Sequence, residues 1–392
     1  MNCKLFIENN EGLHIKFEGQ INTVNAFEVE EEIRKILSSS NVEHIIFDFE
    51  NLTFISSAGL RMILKMKKEH PLLSIENVSP DVYDILEMTG FTSMMEITKK
   101  MRVINIEGLQ KIGEGYIGVV YRLDEERIIK VYMKVNSMED VYRERRLAKL
   151  AFTLGIPTAI TFEIVKTTDG HYGTIYELLR SSGLNERFAQ EPENYEKYKN
   201  QYVDLLKTII TTKVQPGTLP NKKNNAYEWF DILRKNGTFE EKIIAKLEQL
   251  VKDLPDTNTM IHGDYHIKNI MLQDEEPLLI DMDTLGVGHP IFEISAFFLT
   301  YMGYPATAPG NVEAFLGIED RVAKNLYRDT LKGLYPNKSD QEINDINDKI
   351  ALLGYAWLAA KVYLYEPGNT KRLEHAKQMV CSLIDKVDSL NF

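Results

Sequence analysis

The sequence predicts two domains of different fold class, α/β followed by α+β: a small α/β sandwich over residues 1–98 and a larger domain over residues 103–392. A chain of 392 residues is longer than most single domains. Short strand and helix patterns alternate up to residue 98. After residue 103 strand patterns continue to about residue 180, and helical patterns dominate from there on. This predicts two lobes, 103–180 and 181–392, of which the second is largely helical.

Composition and charge favour a cytoplasmic protein whose main partner is neither nucleic acid nor a membrane. The net charge of −12 opposes binding to nucleic-acid backbones and to anionic membrane surfaces. The two cysteines, Cys3 and Cys381, lie near opposite ends and predict reduced thiols rather than a disulfide framework. The N-terminus lacks a signal-peptide pattern, and the longest apolar candidate, residues 294–306, is shorter than the ~18 residues of a membrane span.

Residues 1–98 predict the order ββαβαβα, with helices packed on one sheet. The first two strands form a hairpin that turns at residues 9–12. Asn25 is predicted to cap the first helix, with Glu28 as its capping-box partner. The predicted strands are Lys4–Glu8, Leu13–Glu18, His44–Phe49 and Leu73–Glu76, and the helices begin after Asn25, at Ser57 and after Ser79.

Two adjacent serines, Ser56 and Ser57, stand where the third strand gives way to a helix. A serine at a helix N-terminus can cap the helix, or it can carry a phosphate that free N–H groups and the helix dipole favour. The segment Phe54-Ile55-Ser56-Ser57-Ala58-Gly59-Leu60 resembles the motif of the STAS domain of anti-sigma factor antagonists, in which a kinase phosphorylates a serine. The resemblance covers residues 4–97 and implies phosphorylation of Ser57 and a protein partner for this domain. Ser56 departs from that motif, which usually has Asp here.

Three glycines, Gly113, Gly115 and Gly118, form a Gly-x-Gly-x-x-Gly loop between apolar strands. Glycines allow the backbone to approach phosphate oxygens closely. A strand hairpin is predicted after this loop, whereas a dinucleotide-binding fold would continue into a helix. The kinase form of the loop is therefore favoured.

Lys130 lies in an apolar strand and is predicted to pair with the nucleotide phosphates, although a lysine there is otherwise usually an edge or surface residue. The helix Ser137–Leu154 follows, and Glu144 falls on its apolar face. Because a carboxylate on a buried face requires a cationic partner, we predict a Lys130–Glu144 ion pair. The alternative is a partly exposed Glu144 that pairs locally with Arg143 or Arg145.

Residues 261–269 and 279–283, with the sequences IHGDYHIKN and LIDMD, predict a phosphoryl-transfer site. Asp264 would accept the proton of the attacking hydroxyl. Asn269 and Asp281 would hold Mg²⁺ against the phosphates of ATP or GTP. Each residue alone has a purely structural explanation, but the whole set at this spacing is specific to phosphoryl-transfer sites.

This set resembles the aminoglycoside phosphotransferase and choline kinase family more than the protein kinases. Gly263 replaces the Arg of the protein-kinase His-Arg-Asp, His266 stands where those enzymes have Lys, and no Ala-Pro-Glu follows Asp283. Glu293 stands where the resembled family usually has Asp. The resemblance covers residues 105–365 and implies a bilobal, protein-kinase-like fold in which Asp283 assists the metal or the substrate.

The adenine site and the remaining helices are predicted by position and by pattern. Glu177 and Leu179 lie where the chain leaves the first lobe, at the place where a kinase binds adenine through main-chain groups. The predicted helices span residues 195–213, 226–236, 239–252, 319–334, 340–365 and 370–389.

Three functions agree with these patterns. The first is a kinase that phosphorylates a hydroxyl of a small molecule and is regulated by the STAS-like domain. The second is a signalling protein whose kinase domain phosphorylates Ser57 or a serine of a partner, and the missing activation-segment signature counts against it. The third is a nucleotide-binding scaffold without catalysis, which the intact base and metal residues disfavour. Residues 191–256 contain eleven acidic and eleven basic residues, a balance that disfavours a polycationic aminoglycoside as the acceptor.

Overall fold

The computed structural model describes residues 3–9, 13–39, 44–115, 117–133 and 138–392. The chain divides into two compact units, residues 1–105 with 164–170 and residues 106–163 with 171–392. The predicted turn residues 10–12, Tyr116 of the glycine loop and the predicted helix start at Ser137 lie outside the described residues.

The first unit contains a five-stranded sheet and three helices, which confirms the predicted α/β sandwich. Its elements are β1 (Cys3–Asn9), β2 (Leu13–Ile21), α1 (Ala26–Ser38), β3 (Ile45–Ile55), α2 (Ser57–Glu69), β4 (Ser74–Val78), α3 (Pro80–Met88), β5 (Ile97–Lys99) and β6 (Val103–Ile104). The sheet order is β1–β2–β3–β4–β5, with β1 antiparallel to β2 and the later pairs parallel. Strand β5 was not predicted, because three residues are too few to show an alternating pattern.

Three aromatic side chains pack together in the core of this unit. Phe17 on β2 and Phe47 and Phe49 on β3 are fully buried. The ring of Phe17 lies 5.0 Å from each of the other two rings, in edge-to-face arrangements. Asp48, between the two phenylalanines, is also buried, as expected for a strand that is covered on both faces.

The predicted capping box of the first helix was wrong. Asn25 directly precedes α1, but its side chain makes no hydrogen bond to the helix N-terminus. Its Oδ1 instead accepts the N–H of Asn22 at 2.7 Å, and its Nδ2 donates to the carbonyl of Gln20 at 2.8 Å. The short amide side chain of Asn25 can bond either to the preceding turn or to the helix N-terminus, and here it bonds to the turn.

The second unit begins with a small sheet and continues into a largely helical part. The first part contains β7 (Lys111–Glu114), β8 (Gly118–Arg122), β9 (Arg127–Tyr132), α4 (Met138–Thr153) and β11 (Tyr172–Glu177). Strand β10 (Thr161–Thr167) has residues 161–163 in this unit and residues 164–167 in the first. Strands β11, β9, β8 and β7 are neighbours in this order and antiparallel. The helical part contains β12 (Ser182–Gly183), α5 (Leu184–Gln190), α6 (Tyr195–Thr211), α7 (Lys222–Lys235), α8 (Glu241–Lys252), β13 (Met260–Ile261), β14 (Ile270–Gln273), β15 (Glu276–Leu279), β16 (Gly286–Val287), α9 (Ile291–Phe298), α10 (Asn311–Leu316), α11 (Asp320–Leu334), α12 (Asp340–Tyr365) and α13 (Thr370–Leu383).

The six predicted helices of this part are present, but some of their ends differ. Helix α7 begins four residues earlier than predicted, at Lys222, because Asn221 caps it by accepting the N–H of Lys223 at 2.9 Å. Helices α5, α9 and α10 were not predicted. The first and last are short, and α9 is buried on every side, so its sequence is a plain apolar run without an amphipathic pattern.

The helices and the two cysteines agree with what the sequence predicts for membrane spans and thiols. None of the helices formed by the described residues is long and apolar enough to cross a membrane. Cys3 is buried, Cys381 is exposed, and both are free thiols, as predicted.

Candidate active site

A cleft of about 600 Å³ lies in the second unit and gathers most of the predicted site residues. Its walls come from the β7–β8 loop, from β9 and α4, from the chain after β11 and from the segment around Asp264. The predicted residues that line it are Gly115, Gly118, Lys130, Glu144, Glu177, Leu179, Asp264, Asn269, Asp281 and Asp283. Gly113 and Ser57 are not among the lining residues.

The predicted ion pair between Lys130 and Glu144 is confirmed. Lys130 Nζ lies 2.8 Å from Glu144 Oε1 and 3.1 Å from Asp281 Oδ1. Burial alone would lower the pKa of the Lys130 ammonium, but the two carboxylates outweigh it and raise the pKa above its ordinary value. Tyr176, which was not predicted, donates its hydroxyl to Glu144 at 3.0 Å. The local alternative is wrong, because Arg145 bonds elsewhere, to the carbonyl of Phe162.

The Asp264 carboxylate is held by its neighbours at the floor of the cleft. Asn269 Nδ2 donates to the Asp264 carbonyl at 3.0 Å and to its Oδ2 at 3.3 Å, and His266 Nε2 lies 3.5 Å from Oδ2. Burial opposes ionisation, but the hydrogen bond from His266 and nearby positive charge keep the pKa of Asp264 below its ordinary value. The buried His262 accepts the Asp264 N–H at Nδ1 over 3.3 Å. The Asp264 carboxylate is therefore held in a fixed orientation and in its ionised form.

Glu293 supports the segment that carries Asp264, a role that its position in the sequence did not disclose. Its fully buried carboxylate accepts the N–H of His262 and, at 3.2 Å, the N–H of Gly263. Burial raises the pKa of Glu293 to about 7, although the two N–H donors oppose the shift. Gly263 has φ +85°, and a side chain there would also approach the carbonyl of Thr284 to 3.1 Å. The protein-kinase Arg cannot occupy this position without strain.

Asp281 and Asp283 present two carboxylates beside Asn269. Asp281 has φ +66°, a left-handed conformation that is uncommon outside glycine and that often marks functional sites. Burial and the neighbouring Asp281 raise the pKa of Asp283 to about 7. Because Asn269 uses its amide nitrogen on Asp264, its Oδ1 is the atom left to ligate a metal. Oxygen donors of this kind suit Mg²⁺, which typically takes only one or two protein carboxylates and completes its shell with phosphate and water.

The chain after β11 offers main-chain groups to the cleft. The N–H of Glu177 donates to the carbonyl of Ile160 at 3.0 Å, and the N–H of Leu178 donates to the carbonyl of Glu126 at 2.7 Å. Glu177 can therefore offer only its carbonyl. The N–H of Leu179 has no acceptor among the described residues and remains able to bind a base.

The pairing of β8 with β9, and not only the glycine loop, requires a residue without a side chain at Gly118. A methyl group on Gly118 would lie 2.1 Å from the carbonyl oxygen of Val131 on β9, whereas a methyl group on Gly115 would have nothing within 4 Å.

Gly118→Ala should therefore destabilise the second unit by about 1–3 kcal/mol, since the two strands must separate to admit the methyl group. The matched Gly115→Ala variant should stay within about 0.5 kcal/mol of the wild type. Both tryptophans lie in this unit, so urea unfolding followed by tryptophan fluorescence measures the difference. Equal stability of the two variants would contradict the packing argument.

In the first unit, the two serines of the STAS-like motif have different roles. Ser56 is the N-cap of α2, and its Oγ accepts the N–H of Gly59 at 3.3 Å. Ser57 is the first residue of the helix and is exposed. Capping is thus assigned to Ser56, and the hydroxyl of Ser57 faces solvent at the positive end of the helix.

Comparisons with known proteins agree with this division of the chain. The family model of the STAS domain matches residues 6–103. A protein of Bordetella bronchiseptica that is named as the anti-sigma factor antagonist BtrV is 29% identical over 99 residues. These residues are 24% of this chain and 84% of that protein. The anti-sigma F factor antagonist of Paenibacillus polymyxa is 26% identical over 102 residues, which are 25% of this chain and 87% of that protein.

The second unit matches a different set of proteins. A crystal structure of a thermostable mutant of the aminoglycoside phosphotransferase APH(4)-Ia, in a ternary complex with AMP-PNP and hygromycin B, aligns with a TM-score of 0.50. The alignment covers 71% of this chain and 94% of that chain at 10% identity, which shows a common fold. The model of the phosphotransferase enzyme family matches residues 108–323, more than half of the chain. The chain therefore belongs to the phosphotransferase enzyme family, and a STAS domain precedes its phosphotransferase domain.

Proposed function

We propose that the protein transfers the γ-phosphate of ATP or GTP to a hydroxyl of a small molecule, and that its STAS domain regulates this activity. The convergence of Lys130, Asp264, Asn269 and Asp281 on one cleft carries the proposal. These are the base, the phosphate-binding lysine and the oxygen ligands that phosphoryl transfer requires, arranged around a space large enough for a nucleotide.

In this mechanism Asp264 accepts the proton of the acceptor hydroxyl as its oxygen bonds to the γ-phosphorus. The bond from that phosphorus to the bridging oxygen breaks, and the nucleoside diphosphate leaves. Lys130, oriented by Glu144, pairs with the phosphates. Asn269 and Asp281 would hold Mg²⁺, which when bound neutralises the charge that develops on the phosphates. Leu179 N–H and the Glu177 carbonyl bind the base.

The short chain between Asp281 and α9 favours a small acceptor over a protein. Only residues 282–290 separate them. A protein kinase carries its activation loop and the Ala-Pro-Glu motif in this interval. The AMP-PNP and hygromycin B bound in the related structure also favour an adenine nucleotide and a small acceptor.

A second candidate function is phosphorylation of Ser57. The exposure of its hydroxyl, with capping left to Ser56, favours it. A phosphate on the first residue of α2 would meet free N–H groups and the helix dipole, and would change the charge of the surface offered to a protein partner.

Incubation with γ-labelled ATP and Mg²⁺ tests both functions. Wild type, Asp264→Ala and Ser57→Ala are compared for ADP release and for label on the protein, with and without a panel of small alcohols. ADP release that requires both an alcohol and Asp264 would support the first function. Label that appears on the wild type and is lost in both variants would support the second. No ATP turnover with any acceptor would contradict the first proposal and favour a scaffold.

A further inference from the structure

The hydroxyl of Tyr301 contacts the chain segment that carries the proposed base and the proposed metal ligand. Tyr301 is fully buried, and its hydroxyl oxygen accepts the N–H of Ile267 at 3.1 Å. Ile267 lies between Asp264 and Asn269 in the sequence and is fully buried as well. Tyr301 does not line the cleft itself. Any effect of its hydroxyl on the site must therefore pass through this segment.

Tyr301 lies in a π turn that directly follows helix α9. The turn spans Leu299–Gly303, and the N–H of Tyr304 closes it by bonding to the carbonyl of Leu299, five residues back, at 2.9 Å. Turns of this width are rare and are frequently found at functional sites. Helix α9 also carries Glu293, whose carboxylate accepts the two main-chain N–H groups just before the proposed base. One continuous helical element therefore contacts the segment on both sides of that base.

The ring of Tyr301 is fixed by its aromatic neighbours. The ring of Phe297 lies 4.7 Å from it and the ring of Tyr202 lies 6.4 Å from it, both in edge-to-face arrangements. Both neighbours are fully buried. Because close-packed rings of this kind keep one orientation, the hydroxyl stays directed at the N–H of Ile267.

The N–H of Ile267 needs an acceptor from outside its own turn. Residues Ile267–Asn269 form a single 3₁₀ turn, in which the N–H of Asn269 donates to the carbonyl of His266 at 2.9 Å. The first N–H groups of a helical turn have no acceptor within that turn. A buried N–H that is also shielded from water is costly unless it is bonded. The Tyr301 hydroxyl supplies this bond.

The same turn ends at Asn269, the proposed Mg²⁺ ligand. The amide nitrogen of Asn269 is bonded to Asp264, which leaves its Oδ1 for the metal. Its carbonyl accepts the N–H of Ile280, the residue before Asp281, at 2.9 Å. The direction of Oδ1 therefore depends on the turn that begins at Ile267. Groups that orient a metal ligand without touching the metal typically contribute strongly to metal affinity.

We propose that Tyr301 is a positioning residue, whose hydroxyl fixes the turn that directs Asn269 Oδ1 and thereby sets the affinity of the nucleotide complex for Mg²⁺. Without the hydroxyl, the buried N–H of Ile267 loses its acceptor and the turn shifts to find another. Asn269 then presents its oxygen less accurately, while Lys130 on β9 keeps its place. This role rests on the proposed function of Asn269, but the binding of metal and nucleotide can be measured without phosphotransfer.

Nucleotide binding at graded Mg²⁺ concentrations tests this role. The full-length protein is titrated with the fluorescent analogue mant-AMP-PNP, first in EDTA and then at increasing Mg²⁺. Tyr301→Phe removes the hydroxyl and keeps the ring. We expect the half-saturating Mg²⁺ concentration to rise about 10–100-fold in this variant. Its nucleotide affinity in EDTA should equal that of the wild type, and excess Mg²⁺ should restore the wild-type affinity.

Tyr327→Phe is the matched control, because it removes one hydroxyl from the same core at a distance from this segment. Tyr327 is buried, and its hydroxyl donates to Asn347 Oδ1 at 2.9 Å. The control should keep the wild-type Mg²⁺ requirement, and thermal unfolding checks that both variants are folded. An unchanged Mg²⁺ requirement in Tyr301→Phe, an equal change in the control, or weaker nucleotide binding in EDTA would each overturn the proposed role.

The wild type separates this role from the proposed function. Mg²⁺-dependent nucleotide binding without phosphotransfer to any acceptor would contradict the proposed function, and the two variants would still decide the role of Tyr301. Nucleotide binding that does not depend on Mg²⁺, or no binding at all, would overturn the role of Tyr301 together with that of Asn269.

Discussion

Replacement of Asp264 by asparagine should lower kcat for phosphotransfer by about 10²–10⁴-fold, the usual contribution of a positioned general base. The amide has nearly the shape of the carboxylate and can still accept the hydrogen bond of Asn269, but it cannot take the proton of the acceptor. Because the nucleotide is bound mainly by other groups, its KM should change much less than kcat.

Acceptor-dependent ADP release at saturating ATP measures this effect. Asp274→Asn is a suitable control, because Asp274 is an exposed turn residue at φ +51°, a conformation that asparagine tolerates, and the change in charge is the same. Equal activity of the two variants would exclude Asp264 as the base. A loss of activity together with a loss of thermal stability would instead indicate a structural role.

Replacement of Glu293 by alanine should destabilise the second unit by about 3–5 kcal/mol. The change leaves the N–H groups of His262 and Gly263 without an acceptor in a fully buried position, and it opens a cavity. Urea unfolding followed by tryptophan fluorescence reports on this unit. Wild-type stability of the alanine variant would contradict the supporting role assigned to Glu293.

Glu293→Gln separates the hydrogen bonds from the charge. The amide oxygen of the glutamine still accepts the two N–H groups. The glutamine variant should therefore recover much of the stability that the alanine variant loses. The pKa of Glu293 is raised to about 7, so its contribution is present below the ordinary carboxyl pKa and is lost as the pH rises through 7. Between pH 4.5 and 8 the wild type should lose up to about 3 kcal/mol relative to the glutamine variant. Parallel pH profiles of the two proteins would show that this pKa is not raised.

Local patterns were enough to predict parts of the fold and of the site. The alternation of short strands and helices predicted the first unit. The position of Glu144 on the apolar face of its helix predicted the pair with Lys130, because a buried carboxylate must find a cation and the alternatives on its own helix point elsewhere. The spacing of Asp264, Asn269 and Asp281 placed them in one cleft, while their chemical roles remain predictions.

Other features depend on contacts that spacing does not encode. Asn25 has the residue type of a helix cap, but the preceding turn binds its side chain. Ser56 and Ser57 were equivalent candidates for the helix cap until the backbone placed Ser56 at the N-cap and Ser57 at the first helical position. Glu293 lies some thirty residues beyond the backbone groups it supports, and no local pattern links them.

The sequence by itself determined the two fold classes and the pairing of Lys130, and it predicted the residues of the phosphoryl-transfer set, because each follows from residue type at short spacing. The tertiary structure alone decided which groups surround Asp264. Glu293 belongs to α9, and only the packing of that helix against residues 262–264 brings its carboxylate to the N–H groups of His262 and Gly263. No local pattern predicts such support, because the groups that meet are distant in the sequence and a buried carboxylate is stable only where donors reach it.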